Sequence, residues 1–175
     1  EENIMKIRYT WLTLIAAMII ILFGFYVEIE AQNMVNALQT KIEKLSDQSD
    51  LVVVGKVSEI HSKWNKDKSR IYTDVTVDVE EFVKGGEPGT RIVIKHPGGE
   101  VGGVGEWYSY APKFKTTEEV MLFLHKNKNG NLNVTKGAEG KFLVKKDNAV
   151  KTKILENGVS IENIKSMLKN KQREK

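Results

Sequence analysis

The sequence predicts an α+β protein: one long N-terminal helix, apolar and then amphipathic, followed by an antiparallel β-barrel or sandwich and a short C-terminal helix. Three observations predict it. Residues 11–27, WLTLIAAMIIILFGFYV, carry no charge, and residues 28–47 contain neither proline nor glycine. From Leu51 onward short β-branched runs alternate with turn residues. After Ser160, the residues Ile161, Ile164, Met167 and Leu168 recur at helical spacing. The chain divides into residues 1–47 and residues 48–175, the second long enough for one domain with its own core.

At about 1.5 Å per residue, the apolar run spans roughly 25 Å, enough for a bilayer core when flanking residues snorkel. Trp11, Leu14, Ile15, Met18, Ile19, Leu22, Phe23, Phe25 and Tyr26 are the expected membrane-facing or filament-core residues. Trp11, Phe23, Phe25 and Tyr26 lie near its ends, where membrane helices place aromatic rings at headgroup level. A cleavable signal is one reading, with Lys6 and Arg8 as basic region and Ile29-Glu30-Ala31 as cleavage site. The run is long for that role, and a permanent anchor or a filament helix first held in the membrane fits better. Lys6 and Arg8 precede the run while Glu28 and Glu30 follow it. Positive residues stay cytoplasmic, so the N-terminus is expected inside and the remainder outside.

Val27, Ala31, Met34, Leu38, Ile42 and Leu45 then form an apolar stripe along one helix face. This seam packs either on the protein's own β domain or against neighbouring helices. Residues 46–50, SDQSD, end the helix with cap and turn formers.

Residues 51–57 read as a buried strand, and residues 71–80 as a half-buried one with Thr73, Val75, Val77 and Val79 on one face. Residues 84–89 are a turn cluster, and further strands are expected at 91–95, 120–125, 132–135, 141–145 and 149–155. Many short strands favour a closed barrel of the OB type, because closure removes exposed edges; an immunoglobulin-like sandwich is the second choice.

The chemistry this composition supports is limited. The chain has no cysteine, which excludes disulfides, iron–sulfur clusters and thiol catalysis. The net charge of +4 is spread thinly, and the tail Lys169, Lys171, Arg173 and Lys175 reads as a solvated helix end. No basic patch with interleaved aromatics points to nucleic acid. His61, His96 and His125 are scattered, without metal-ligand spacing. Glu80-Glu81 and Glu118-Glu119 are adjacent pairs, which a strand turns to opposite faces. The glycine-rich segment 96–105 follows a strand but lacks a Lys-Ser/Thr signature and a following helix, so it reads as a tight β connection rather than a phosphate cradle. Trp107, Tyr108 and Tyr110 read as a core or loop anchor. No enzyme, cofactor or metal site is expected. Asn133-Val134-Thr135 is an N-glycosylation sequon, a possible modification at Asn133 in an exterior domain.

Two resemblances follow from these patterns. An apolar helix, an amphipathic continuation and a β-rich C-terminal domain together resemble a type IV pilin or archaellin-like subunit, although Met5 stands where bacterial pilins carry a glutamate. Residues 53–57 (VVGKV), 71–73 (IYT), 79–81 (VEE) with Lys84-Gly85, and 97–100 (PGGE) resemble an uncharacterised secreted prokaryotic β domain of netrin- or TIMP-like OB type. The first resemblance implies a structural subunit of an extracellular filament, partnered by copies of itself and by the membrane before assembly. Lys6 and Arg8 lie about 20–24 residues before Glu28 and Glu30, roughly 30–35 Å along a helix, so copies staggered by that distance would pair these charges. The alternative is a monomeric, membrane-anchored extracytoplasmic binding domain with its ligand site on the barrel, near segment 96–105.

Overall fold

The computed structural model describes residues 2–86, 91–147, 152–156 and 158–173. The side chains of residues 2–17, 25, 27, 29, 31, 34, 147, 172 and 173 lie outside that description. Two compact units are present, Glu1–Thr40 and Lys41–Lys175.

The first unit consists of helix α1 (Glu2–Asp47) as far as Thr40. Residues 18–23 are six consecutive apolar side chains, each between 56% and 71% exposed. Consecutive helical residues point around the whole circumference, so this stretch is apolar on every side. Beyond it the surface is polar: Gln32 Nε2 donates to Asn36 Oδ1 at 3.0 Å, and Thr40 Oγ1 donates to the Asn36 carbonyl at 3.0 Å. Among the described residues no helix is long and apolar enough to cross a membrane; the first part of the run 11–27 falls outside the side chains described.

The second unit is an OB-like β-barrel. Its strands are β1 (Leu51–Trp64), β2 (Ile71–Lys84), β3 (Arg91–Pro97), β4 (Gly99–Val101), β5 (Val104–Glu106), β6 (Glu119–Lys126), β7 (Leu132–Val134), β8 (Lys141–Asp147) and β9 (Thr152–Leu155). Five of them close the ring β1-β2-β3-β7-β6, with β6 returning to pair with β1. Closure distinguishes the barrel from the sandwich. All ring pairs are antiparallel except β3 with β7, which run parallel. Strands β8 and β9 extend from β6 outside the ring, and helix α2 (Ile161–Arg173) follows.

Alternation along the strands builds two apolar layers. Leu51, Val53, Val75, Val77, Ile94, Val120, Leu122 and Leu124 fill the barrel interior. Their neighbours Val52, Val54, Met121 and Phe123 point the other way and are equally buried. Ile42 and Leu45 from the end of α1, Leu155 from β9, and Ile161, Ile164 and Leu168 from α2 are buried as well. Burial on both faces explains why residues 51–54 and 120–124 read as continuous apolar runs. The end of α1 is fixed electrostatically as well. Lys84 Nζ donates to the Ser46 and Ser49 carbonyls at 2.5 and 2.8 Å, a cation at a helix C-terminus. Lys171 on α2 lies 2.8 Å from Asp47.

Several strands outrun their sequence limits. β1 reaches Trp64 through a distal half that alternates half-buried and exposed residues without an apolar run, and β2 reaches Lys84 through mostly half-buried residues with Val83 buried among them. The glycine-rich segment 96–105 contains a hairpin, β4 and β5, which the sequence pattern does not reveal. Gly102 (φ 60°) and Gly103 (φ 80°) form its turn, the left-handed pair that a two-residue type I′ connection requires.

Candidate functional site

The hairpin is fastened by a carboxylate. Glu106 Oε2 accepts the Ile71 N–H at 2.7 Å, while Oε1 accepts Arg70 Nη1 at 3.3 Å and the Tyr108 hydroxyl. The Ile71 N–H, foremost, and the Tyr108 hydroxyl hold Glu106 below the usual carboxylate range. Both carboxylate oxygens are engaged, so this trio fixes β5 to the start of β2 and leaves no free base. At the entry to the hairpin, a Cβ on Gly99 would lie 2.3 Å from Ser62 Oγ and 2.4 Å from Thr73 Oγ1. Close packing on β1 and β2 therefore accounts for this glycine.

A different arrangement lies where β3 meets β7. Their parallel ladder is a single registered pair, Ile94 with Leu132. Past it the Asn133 side chain substitutes for backbone pairing: Nδ2 donates to the Lys95 carbonyl at 2.8 Å, and Oδ1 accepts Asn127 Nδ2 at 2.9 Å. Asn127 is itself set by its turn, its Oδ1 accepting the N–H groups of Asn129 and Asn131. The sequon residue is half-buried and its amide bridges two elements of the barrel.

Segment 107–118 borders this seam, and its Thr117 N–H and Glu118 carbonyl pair with the Val57 backbone at 2.8 and 3.0 Å. The Ala138 N–H donates to the Tyr110 carbonyl at 2.9 Å, and Gly137 (φ 60°) leaves no room there for a Cβ. Lys141 Nζ lies 2.6 Å from Glu118 Oε1 and 4.7 Å from the Phe114 ring centroid, and it also donates to the Lys113 carbonyl. Phe114 in turn stacks on His96, with centroids 5.9 Å apart.

Between segment and seam is a cleft of about 270 Å³ whose lining includes Lys95, His96, Tyr110, His125 and Asn133. Hydrogen-bond polarity defines both imidazoles. His96 Nδ1 is 3.0 Å from the Pro97 carbonyl, which only accepts, so Nδ1 carries the proton. Burial, the leading cause, holds His96 below its ordinary value, while the Pro97 carbonyl and Asp74 act weakly the other way. For His125 the polarity runs through two hydroxyls. Ser49 Oγ donates to the Leu45 carbonyl at 2.7 Å and so accepts from Thr135 Oγ1 at 2.7 Å. Thr135 then only accepts from His125 Nδ1, at 3.4 Å. In the neutral state, each ring thus has an unprotonated Nε2.

A larger depression of about 350 Å³ is lined by Lys141, Phe142, Leu143 and Glu156. Its charged members already pair with Glu118 and Lys145, respectively. Among the described residues no three His, Cys, Asp or Glu side chains converge as a metal site. No protein-family model matches the chain, and no curated protein matches it significantly.

The sequence-predicted residues are widely distributed. Met18, Ile19, Leu22, Phe23 and Tyr26 are exposed on α1, as are Glu28 and Glu30. Trp11, Leu14, Ile15, Phe25, Lys6 and Arg8 lie outside the described side chains, as do Val27, Ala31 and Met34 of the seam. Leu38 is half-buried, and Ile42 and Leu45 are buried in the barrel unit. Trp107 and Tyr110 are 72% and 59% exposed and so are not core; Tyr108 fastens the loop through Glu106, and the Tyr110 ring lies against it with centroids 5.5 Å apart. Glu80 and Glu119 share Lys153, whereas Glu81 pairs with Lys165 and Glu118 with Lys141. The cleft residues His96 and His125 are far apart in sequence, and no local motif joins them.

Proposed function

We propose that the chain is a surface recognition protein: an apolar helix tethers an extracytoplasmic OB-like barrel, and the seam cleft of that barrel binds the ligand. The cleft carries the reading. It combines an exposed aromatic ring, two oriented imidazoles and an open ladder between strands, features with no evident need in a closed barrel. Small barrels of this type commonly use their surface strands and loops for binding. The tether rests on residues 18–23, apolar around the helix and in need of lipid or other helices. Basic residues before the run and acidic residues after it favour a cytoplasmic N-terminus.

A filament subunit is the second reading, favoured by the same apolar circumference, which a bundle of like helices would cover. In it, Lys6 and Arg8 of one copy pair with Glu28 and Glu30 of another. The seam now supports it less strongly, since Ile42 and Leu45 are already buried within the barrel unit. Fractionation of cells that make the full chain separates the two. A tethered recognition protein remains with the membranes until detergent is added and shows no polymers under negative stain. Long fibres in the sheared extracellular fraction would replace it with the filament.

A further inference from the structure

We infer that the seam cleft takes an organic carboxylate, a proposal that rests on the recognition reading above. The charge of the lining selects the class. His96 and His125 line the cleft and can carry positive charge there, while the Lys95 ammonium lies over the Tyr72 ring, 5.1 Å from its centroid; among the described lining residues there is no aspartate or glutamate to receive a cation. The rest of the lining selects an organic body over a bare oxyanion. Pro97, Pro112 and Val134 present apolar surface, and the Tyr110 ring is exposed. A ligand with a short apolar body and one anionic end satisfies both halves.

The imidazoles supply the means of holding that end. Each keeps its Nδ1 proton on a fixed acceptor, the Pro97 carbonyl for His96 and Thr135 Oγ1 for His125. At His96 protonation therefore occurs at Nε2 and turns that atom from acceptor into a charge-assisted donor. No bond to the protein is broken in the change. Around His96 the charged and titratable groups are Lys95 beside it in sequence, its ammonium turned onto the Tyr72 ring, Asp74 across the β2–β3 ladder, and His125 and Tyr110 in the cleft lining; β7 and Phe114 contribute none. The one carboxylate in that set, Asp74, is held by Lys63. An arriving carboxylate is thus the missing counter-charge, and its binding draws a proton from solvent. Affinity should then rise as pH falls, by up to about tenfold per pH unit for the one proton His96 takes up.

The test uses the full chain in detergent micelles, with imidazole NMR signals as readout and four probes: sodium butyrate, butyramide, butylammonium and inorganic phosphate. Butyrate is expected to shift the His96 and His125 signals saturably, more tightly at pH 6.0 than at pH 7.5. Butyramide and butylammonium should do so far more weakly. Equal or tighter binding of butyramide, butylammonium or phosphate would overturn the carboxylate while leaving the cleft as a binding site. Silence of both imidazoles towards all four probes would overturn the carboxylate and the recognition cleft together.

Discussion

The two sides of the barrel are built on different principles. On one side β1 lies between β2 and β6, paired to both, with apolar side chains buried on its inner and outer faces. On the other, β3 and β7 share one registered pair, and the asparagine at position 133 completes the junction with its side chain. The first side has backbone pairing and two packed layers; the second has polar bonds and a cleft. In the proposed reading, stability and recognition are thereby separated within one small ring. Changes to the closed wall should unfold the domain, and changes to the seam should alter the cleft at smaller cost in stability.

The largest effect is expected in the wall. Leu122 is fully buried in the interior, with Val53 as its cross-strand neighbour on β1. Leu122→Ala should cost about 2–5 kcal/mol in urea unfolding of the full chain, through lost burial and the cavity left behind. A cost near zero would mean that the wall does not dominate stability, and the contrast drawn above would fail. Next comes Gly99, against the outer end of the same wall. Gly99→Ala brings a Cβ against two hydroxyl oxygens at a φ of 134°, and should cost about 1–3 kcal/mol. Gly102→Ala is its control: the position is open, so only its left-handed backbone penalty, about 1–2 kcal/mol, applies. Equal effects would show that the hairpin's packing on β1 and β2 contributes little.

This contrast also marks what is legible in a single sequence. The wall is visible because burial on two faces leaves continuous runs such as VMLFL at 120–124, and the first half of β2 because one-face burial leaves strict alternation. The distal half of β1 is not visible, since its residues sit half-exposed and carry no apolar run. The cleft is hidden for a different reason. His96 and His125 come to one cleft only through the pairing of strands distant in sequence, and the sequon pattern at Asn133 carries no sign that its amide also serves as a strand partner. Trp107 and Tyr110 mislead in the opposite direction, because aromatic residues usually mean core and these are exposed. Hydrophobic pattern records burial. It does not record which polar side chains the topology brings together.

At the seam, Asn133→Ala removes an acceptor from Asn127 and a donor from the Lys95 carbonyl. The expected cost is about 1–2 kcal/mol, less than for Leu122→Ala, because the groups left behind are only partly removed from water. Hydrogen exchange gives the sharper measurement. Faster exchange should be confined to β3 and β7, with β1 and β6 unchanged. Acceleration spread evenly over all five strands would mean that the seam and the wall are one cooperative structure.

The smallest expected effect is in the pH dependence of stability, and it isolates the cleft. Burial holds the His96 imidazole below its ordinary value of 6.5. As pH falls through that value, the unfolded chain takes up the proton before the folded one does. The site's contribution is therefore whole above the ordinary value and is lost progressively until the folded imidazole is itself protonated. Urea midpoints at pH 7.5 and 5.5 should thus fall further in the natural chain than in His96→Gln. The two proteins differ only at this position, so the difference between the two slopes belongs to this imidazole. Saturating butyrate should narrow the difference, because a ligand that favours protonated His96 in the folded state raises its folded value towards the unfolded one. Identical slopes without ligand would show that the ring is as well solvated as in the unfolded chain, and the cleft would lose the buried imidazole on which its selectivity depends.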